Sequence, residues 1–239
     1  ENNVLATDKK NNLIKTQYAE YFSEDKIFKS TGPTEIVTNE NYTILGSDIN
    51  VNNTDKIISS QKNSVIKDPD GNQIFLDNFE YRLDNNIFKS VGLIKIEDKK
   101  KNTYEFSQVY IDTKKKEILG TDIKAFFNER SFKYSIKNKP RIFSNSLKIN
   151  NSKNEFQKSV FTICDYRKDD KCPPWSIQAS KILHDNKKKT IYYDNALIKV
   201  YNIPIFYFPK LSHPDPTVKR KSGFLVPSLS DSKNLGSAI

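Results

Sequence analysis

The sequence contains no methionine, one tryptophan, two histidines and two cysteines among its 239 residues. The histidines, His184 and His213, have no metal-ligand spacing to each other or to the cysteines, and a structural zinc site normally takes four ligands. The chain also has no glycine-rich phosphate loop, no histidine-centred triad and no HExxH-like motif. These absences predict neither an enzyme nor a metalloprotein, and we expect no cofactor.

Long apolar runs are missing as well. No stretch approaches the roughly 18 uncharged apolar residues of a membrane-spanning helix, so none is predicted. The chain starts at Glu1 without an apolar leader, and we expect a mature product or a segment whose leader is missing.

The composition favours β-structure and an anionic partner. Fifteen phenylalanines and twelve tyrosines supply bulky core material in a chain that is 36% hydrophobic. The net charge of +10 suits nucleic acid, lipid headgroups or phosphorylated saccharides, unless the lysines only keep the surface soluble. Three lysine triplets, at 99–101, 114–116 and 187–189, lie between apolar runs and are expected at hairpin tips.

Apolar residues recur every 30 positions along the first 140 residues, as expected for stacked copies of one supersecondary unit. The four columns are Tyr21, Val51, Tyr81 and Ile111; Ile27, Ile57 and Ile87; Ile36, Ile66, Ile96 and Phe126; and Ile44, Ile74, Tyr104 and Tyr134. No single copy can bury its apolar face alone. The period therefore predicts one long, continuous apolar surface.

Each 30-residue unit is predicted to contain two antiparallel strands. Clusters of Asn, Asp, Pro and Gly recur about every 15 residues, which leaves strands of roughly ten residues. Glycines inside the strands, at Gly32, Gly46, Gly92 and Gly120, predict bends or bulges. We therefore expect each strand to contribute to two facing sheets, in an all-β antiparallel sandwich or jelly roll.

Two alternatives stay open at this level. The apolar columns either close into an ordinary sandwich core or line a groove between splayed sheets, because both use the same residue types. Cys164 and Cys172 pair with each other or with other cysteines in an oxidising compartment, whereas both stay free in the cytosol. The sequence texture changes near Tyr201, which predicts one domain over 1–200 and an unfinished second domain over 201–239.

The C-terminal third resembles a known family. The segments FTICDYRKDDKCPPWSIQASKILHD, IYYDNALIKVYNIPIFYFPKL and KRKSGFLVPS resemble, in family order, the LptD family of outer-membrane lipopolysaccharide assembly proteins. This resemblance is specific over residues 161–232. Residues 1–160 resemble the family more loosely, through the OstA-type β-repeat that it shares with the periplasmic bridge proteins LptA and LptC.

The resemblance implies a periplasmic β-jelly roll over 1–200, whose apolar interior carries lipid A acyl chains. It also implies that 201–239 begins an incomplete outer-membrane β-barrel. The implied location is the cell outer membrane, with this segment mostly periplasmic. The residues implied to line the groove are Tyr21, Ile27, Ile36, Ile44, Val51, Ile57, Ile66, Ile74, Tyr81, Ile87, Ile96, Tyr104, Ile111 and Phe126.

The family also implies roles for prolines and cysteines. Pro209 and Pro227 match prolines near the first barrel strands, where a seam opens sideways because proline donates no ladder hydrogen bond. Cys164 matches a family cysteine that links jelly roll to barrel. Cys172 departs from that pattern, so a local Cys164–Cys172 disulfide is also open.

The implied partners are lipopolysaccharide, an LptA-like bridge protein and an LptE-like lipoprotein that contacts the barrel. The bridge protein is expected to add a strand at the N-terminal edge, around Leu13 to Phe22. A stand-alone LptA-like bridge is the alternative, although it has no use for the segment from Tyr201 onward. Nucleic acid is not expected as a partner, because the aromatics follow the apolar columns and do not alternate with Lys or Arg on an exposed face.

Overall fold

The structure, a computed structural model, describes residues 2–7, 11–128, 140–150, 152–163, 174–214, 218, 230–232 and 236–238. Within these ranges it contains β-strands and no helix, so the predicted all-β fold is confirmed. Consequently, no described helix is long and apolar enough to cross a bilayer. The strands are β1 (Asn2–Thr7), β2 (Leu13–Phe22), β3 (Ile27–Val37), β4 (Thr43–Ser47), β5 (Asn50–Asn52), β6 (Ile57–Ser60), β7 (Ser64–Lys67), β8 (Gln73–Leu76), β9 (Phe79–Arg82), β10 (Ile87–Glu97), β11 (Thr103–Asp112), β12 (Glu117–Phe126), β13 (Arg141–Ile149), β14 (Lys153–Thr162), β15 (Trp175–Asp185), β16 (Thr190–Val200), β17 (Ile203–Pro214), β18 (Ser230–Ser232) and β19 (Gly236–Ala238).

Strands β1 to β17 form one antiparallel sheet, and β18 pairs with β19 in a separate hairpin. Nine strands have 10 to 12 residues, and from β10 to β17 each strand pairs with the next one in the chain. Between β3 and β10, two short strands take the place of each long strand, as β4 and β5 do. One end of β3 is linked to one end of β10 through the successive pairings of β4, β7 and β8. The other ends are linked in the same way through β5, β6 and β9. These pairings close a ring of eight strands.

The sheet is folded along its middle into two facing halves. Half A contains β4, β7, β8 and the C-terminal part of β3 and β10, which begins at Pro33 and Ile94. Half B contains β5, β6, β9 and the N-terminal part of β3 and β10, over 27–29 and 87–89. The later long strands contribute to both halves in the same way.

Where the sheet bends between its two halves, one or more residues of each long strand are left out of the cross-strand pairing. The skipped residues include Gln17, Gly32, Gly92, Ser107, Asp122, Asn145, Lys158, Ser180, Asn195 and Pro209. Gly32 and Gly92 have positive φ angles of 80° and 125°, a conformation that glycine adopts without steric cost. Asp122, Lys158 and Asn195 also have positive φ. Bulges of this kind bend a strand, which explains why each long strand enters both halves.

Hairpin turns repeat with the sequence period. Lys26, Lys56, Asn86 and Lys116 have positive φ at the last position of four-residue turns. Each turn also hydrogen-bonds the previous one, from Asn53 N to Lys26 O, Leu83 N to Lys56 O and Thr113 N to Asn86 O. Two lysine triplets, 114–116 and 187–189, lie in such turns, and the third lies in the turn between β10 and β11. The periodic Asn and Lys residues therefore build the tips of the sheet.

The two ends of the sheet differ. At the N-terminal end, β1 pairs with Leu13 to Tyr18 of β2, and residues 19–22 of β2 have no pairing partner in the described ranges beyond β3. At the other end, Tyr201 and Asn202 have positive φ in a two-residue turn that joins β16 to β17. This hairpin crosses the predicted boundary at 200/201, and the division into 1–200 and 201–239 stays a prediction.

Candidate functional site: an apolar cleft between the sheet halves

Cross-strand register places side chains on the inner face of half A in one row, called row A, which is buried over most of its length and exposed at Phe206 in β17. Each member is paired with the next across the sheet, and nearly all are apolar. Row A consists of Ile14, Ile36, Ile44, Ile66, Ile74, Ile96, Tyr104, Ala125, Ile142, Phe161, Ile177, Ile198 and Phe206. Three members of one predicted column, Ile36, Ile66 and Ile96, thus join Ile44, Ile74 and Tyr104 of another in a single row, while Tyr134 lies outside the described residues.

Row B is the corresponding row of half B, and its character changes along the chain. It begins with Tyr21, Phe28, Val51, Ile58, Tyr81, Phe88, Ile111, Ile118 and Ile149. It continues through Asn154, His184, Ile191 and His213. One wall of the interior therefore becomes partly polar after β13, while row A stays apolar.

The interior is filled between β3 and β10. Ile44 and Ile66 of row A face Tyr81, Phe88 and Ile111 of row B around a space of only about 10 Å³. The ring centroids of Tyr81 and Phe88 lie 6.1 Å apart. Such a void is too small for a ligand, so this stretch is an ordinary packed core.

From β10 onward the halves separate and enclose a cavity of about 380 Å³, here called the cleft. This volume falls at the lower end of the range of small-molecule pockets. Its apolar wall residues are Ile96, Tyr104, Phe127, Ile142 and Phe161 on the half A side and Ile118, Ile149, Phe156, Ile182 and Ile191 on the half B side. Tyr104 and Phe127 meet edge to face, with centroids 6.3 Å apart.

The mouth of the cleft is polar. Its residues are Asn72, Asp98, Lys99, Lys100 and Asn102 from half A, and Asn150, Asn154, His184 and Asn186 from half B. Burial, and secondarily the negative charge of Asp98, raises the pKa of Tyr104 far above its usual value, so this phenol stays neutral. An apolar interior with a cationic and amide rim has the amphipathic character that suits a ligand with an apolar tail and a polar head.

The structure distributes the predicted groove residues over three environments. The interior holds Ile36, Ile44, Val51, Ile66, Ile74, Tyr81, Ile96, Tyr104 and Ile111. Of these, Ile96 and Tyr104 line the cleft, while several others belong to the filled stretch. Ile27, Ile57 and Ile87 are half-buried on the outer face, and their cross-strand partners there include Asn52 and Arg82.

Tyr21 and Phe126 lie largely at the surface, with exposed fractions of 59% and 37%. Tyr21 belongs to row B, but it lies on the uncovered part of β2. Phe126 follows Ala125, and it is Ala125 that occupies row A. Whether any of the predicted residues contacts a ligand stays a prediction.

The sequence interpretation missed eight of the ten apolar residues that line the cleft, and it missed an interior column of half B. Phe28, Ile58, Phe88 and Ile118 form a 30-residue column one position after the predicted Ile27, Ile57 and Ile87, and this later column faces the interior. Both residues of the pairs 27–28, 57–58 and 87–88 are apolar, so the sequence did not indicate which of the two faces the interior. A one-residue shift changes the face of a strand. Ile142, Phe156, Phe161 and Ile182 lie beyond the clear repeat.

The other predicted sites divide between described and undescribed residues. Pro209 is exposed in the middle of β17, opposite Asn195, where the ladder skips a pair and no N–H is needed. Pro227, Cys164 and Cys172 lie outside the described residues. Among the residues that the structure describes, no cluster of three or more His, Cys, Asp or Glu could hold a metal ion.

β17 presents an unusually apolar surface. Ile203, Ile205, Phe206 and Tyr207 are each at least half exposed, on both faces of the strand. Within the described ranges β17 pairs only with β16. Exposed apolar surface of this extent marks an interaction site or a membrane contact.

Comparison with known proteins supplies relatives for part of the chain. LPS-assembly protein LptD of Escherichia coli (strain K12) is 40% identical over 72 residues, which cover 28% of this chain and 9% of that protein. LPS-assembly protein LptD of Yersinia pestis bv. Antiqua (strain Antiqua) is 36% identical over 62 residues, which cover 26% of this chain and 8% of that protein. Over that segment, the chain is related to LptD.

No protein-family model matches the chain. The matched segment spans less than a tenth of the length of these LptD relatives. The all-β sheet and the LptD relationship agree with the family resemblance noted in the sequence.

Proposed function

We propose that this chain takes part in lipopolysaccharide assembly at the outer membrane, and that its cleft holds lipid A acyl chains during transfer. One observation carries the proposal: the LptD-related chain has an open apolar cleft between its sheet halves, with a polar rim. Burial of acyl chains against Ile96, Tyr104, Ile142 and Phe161 supplies the binding energy through the hydrophobic effect.

The polar rim is proposed to contact the head of the lipid. Lys99 and Lys100 suit phosphate groups, while Asn150 and Asn186 on the opposite side suit sugar hydroxyls. Holding the lipid is a binding function that needs no catalytic group, and we propose that the chain is not an enzyme. The cleft then acts as a conduit, and the energy for transport comes from other components.

The two ends of the sheet are proposed to connect this conduit. At the N-terminal end, an LptA-like bridge protein adds a strand to β1 and to residues 19–22 of β2, because β1 already covers Leu13 to Tyr18. At the other end, β17 and residues 201–239 begin the outer-membrane barrel, which an LptE-like lipoprotein contacts. Pro209 and Pro227 form the lateral gate of that barrel, and residues 1–200 lie in the periplasm.

Site-specific photocrosslinking in cells tests the proposal. A photoreactive amino acid is placed at Ile96 or Tyr104 in the cleft, and at Lys95 or Glu105 as matched controls. Each control is the strand neighbour of a cleft residue and points to the exposed face. We expect lipopolysaccharide adducts at Ile96 and Tyr104 only. Equal adducts at all four positions, or adducts at none, contradict the proposal.

A further inference from the structure

Position 42 has a tyrosine where the structurally equivalent positions 72 and 102 have asparagine. The turns at 38–42, 68–72 and 98–102 share one hydrogen-bond pattern, in which the first residue's N–H donates to the last residue's carbonyl oxygen. The last residue's N–H in turn donates to the first residue's side-chain oxygen. Asn72 and Asn102 occupy the last position in two of these turns, whereas the first has Tyr42. The turn backbone therefore forms with either residue type.

The asparagines have a second role that position 42 does not need. Asn12 Oδ1 accepts from Asn39 N at 2.9 Å and Asn72 Oδ1 accepts from Lys99 N at 3.3 Å, each 27 positions along the chain, while Asn102 Oδ1 accepts from Asn128 N at 2.9 Å, 26 positions along. From Tyr42, a spacing of 27 leads to Pro69, which has no N–H to donate, and a spacing of 26 leads to Asp68, whose N–H already donates to Asn72 O. No capping amide is required at position 42, so this position is free to carry a ring.

The ring of Tyr42 closes the interior at this point. Tyr42 is 6% exposed and, from half A, faces Tyr81 and Thr113 of half B around the space of about 10 Å³. On the half B side of this space, Tyr81 Oη and Thr113 Oγ1 form a hydrogen bond of 3.3 Å. At the two equivalent positions with asparagine, Asn72 and Asn102, the side chain borders the mouth of the open cleft.

We propose that Tyr42 is a plug that keeps acyl chains out of the interior between β3 and β10 and so sets where the lipid-holding cleft begins. This inference rests on the proposed function, because it concerns the same ligand and the same interior. Tyr42 is a positioning residue: it determines which part of the continuous row A, from Ile44 onward, is accessible to an acyl chain.

Photocrosslinking beneath the plug tests this proposal. The photoreactive amino acid is placed at Ile66, which lines the filled stretch, or at Tyr104 in the cleft. Each is combined with Tyr42, Tyr42→Phe or Tyr42→Asn. We expect adducts at Tyr104 in every background. At Ile66 we expect background signal with Tyr42 or Tyr42→Phe, and a rise of at least several-fold with Tyr42→Asn.

A variant with the opposite exchange, from asparagine to tyrosine, tests the proposal even if Tyr42→Asn does not fold. Asn72→Tyr places a ring at the equivalent position beside the cleft, and it is expected to lower the adduct yield at Ile96 several-fold. Adducts at Tyr104 together with unchanged yields at Ile66 in Tyr42→Asn and at Ile96 in Asn72→Tyr overturn the plug and leave the proposed function intact. Strong adducts from the probe at position 66 in the protein that keeps Tyr42 also contradict the proposal that Tyr42 is a plug. Loss of adducts at every position overturns the proposed function and the plug with it.

Discussion

Gly120→Ala is expected to destabilise the fold through a single steric conflict. Gly120 is buried in β12, where it pairs with Val109 and Leu147. A methyl group added there would overlap atoms Cδ1 and Cε1 of the Phe106 ring and approach Cγ to 3.3 Å. Phe106 is itself 4% exposed, so its ring has little room to move.

The expected magnitude follows from the cost of overpacking. Forcing a methyl group into a well-packed interior costs about 1–3 kcal/mol. For a chain of this size, each kcal/mol lowers the melting temperature by roughly 2–4 °C. Urea unfolding followed by circular dichroism measures the free energy of unfolding, and a thermal scan measures the temperature shift.

A double-mutant cycle identifies the cause. Phe106→Leu shortens the ring, so combining it with Gly120→Ala should recover about 0.5–3 kcal/mol relative to the sum of the single changes. Gly71→Ala is the matched control, because Gly71 has a φ of 88° and nothing within 4 Å of an added methyl group. Its cost comes from the backbone, and Phe106→Leu should not relieve it. Wild-type stability of Gly120→Ala, or strict additivity with Phe106→Leu, would refute the reasoning.

Two further predictions concern buried polar groups near β15 to β17. Tyr193→Phe removes the 2.8 Å hydrogen bond between Tyr193 Oη and His213 Nε2 and should cost about 1 kcal/mol in urea unfolding, whereas Tyr192→Phe on the other face should cost less. Backbone hydrogen bonds, first from Lys188 N, hold the pKa of Asp185 below its usual value. This contribution is present above the unfolded pKa of about 4 and is lost as pH falls through the folded pKa. The stability difference between wild type and Asp185→Asn should therefore shrink from pH 6 to pH 2, and a constant difference would contradict it.

The sequence period predicted the interior of half A well. Ile36, Ile66 and Ile96 differ by 30 positions, as do Ile44 and Ile74, and antiparallel register joins all five in row A. Half B was harder to predict, because two neighbouring apolar residues start each strand after the turn and only the second faces inward. That choice depends on the turn's length and conformation, which hydrophobic pattern alone does not determine.

The glycines show the same limit. Gly32 and Gly92 lie at the fold of the sheet, as predicted, with positive φ. Gly120 was predicted to mark a bend as well, but the skipped residue in β12 is Asp122, and Gly120 instead makes room for Phe106. Spacing indicates that a glycine lies inside a strand. Why glycine is needed at that position can depend on a side chain from a different strand, as Phe106 shows for Gly120.

The filled core and the open cleft differ in backbone and in side chains, because short strands close a ring between β3 and β10, whereas the strands from β11 to β17 are long. Between β3 and β10, row B presents Tyr81 and Phe88, and Tyr42 closes the mouth. Later, Asn154 and His184 occupy row B, and asparagines border the mouth. The boundary of the cleft therefore depends on the closed ring of strands and on side chains together, and the proposed plug concerns the side chains alone: Tyr42 stands where the equivalent positions carry Asn72 and Asn102.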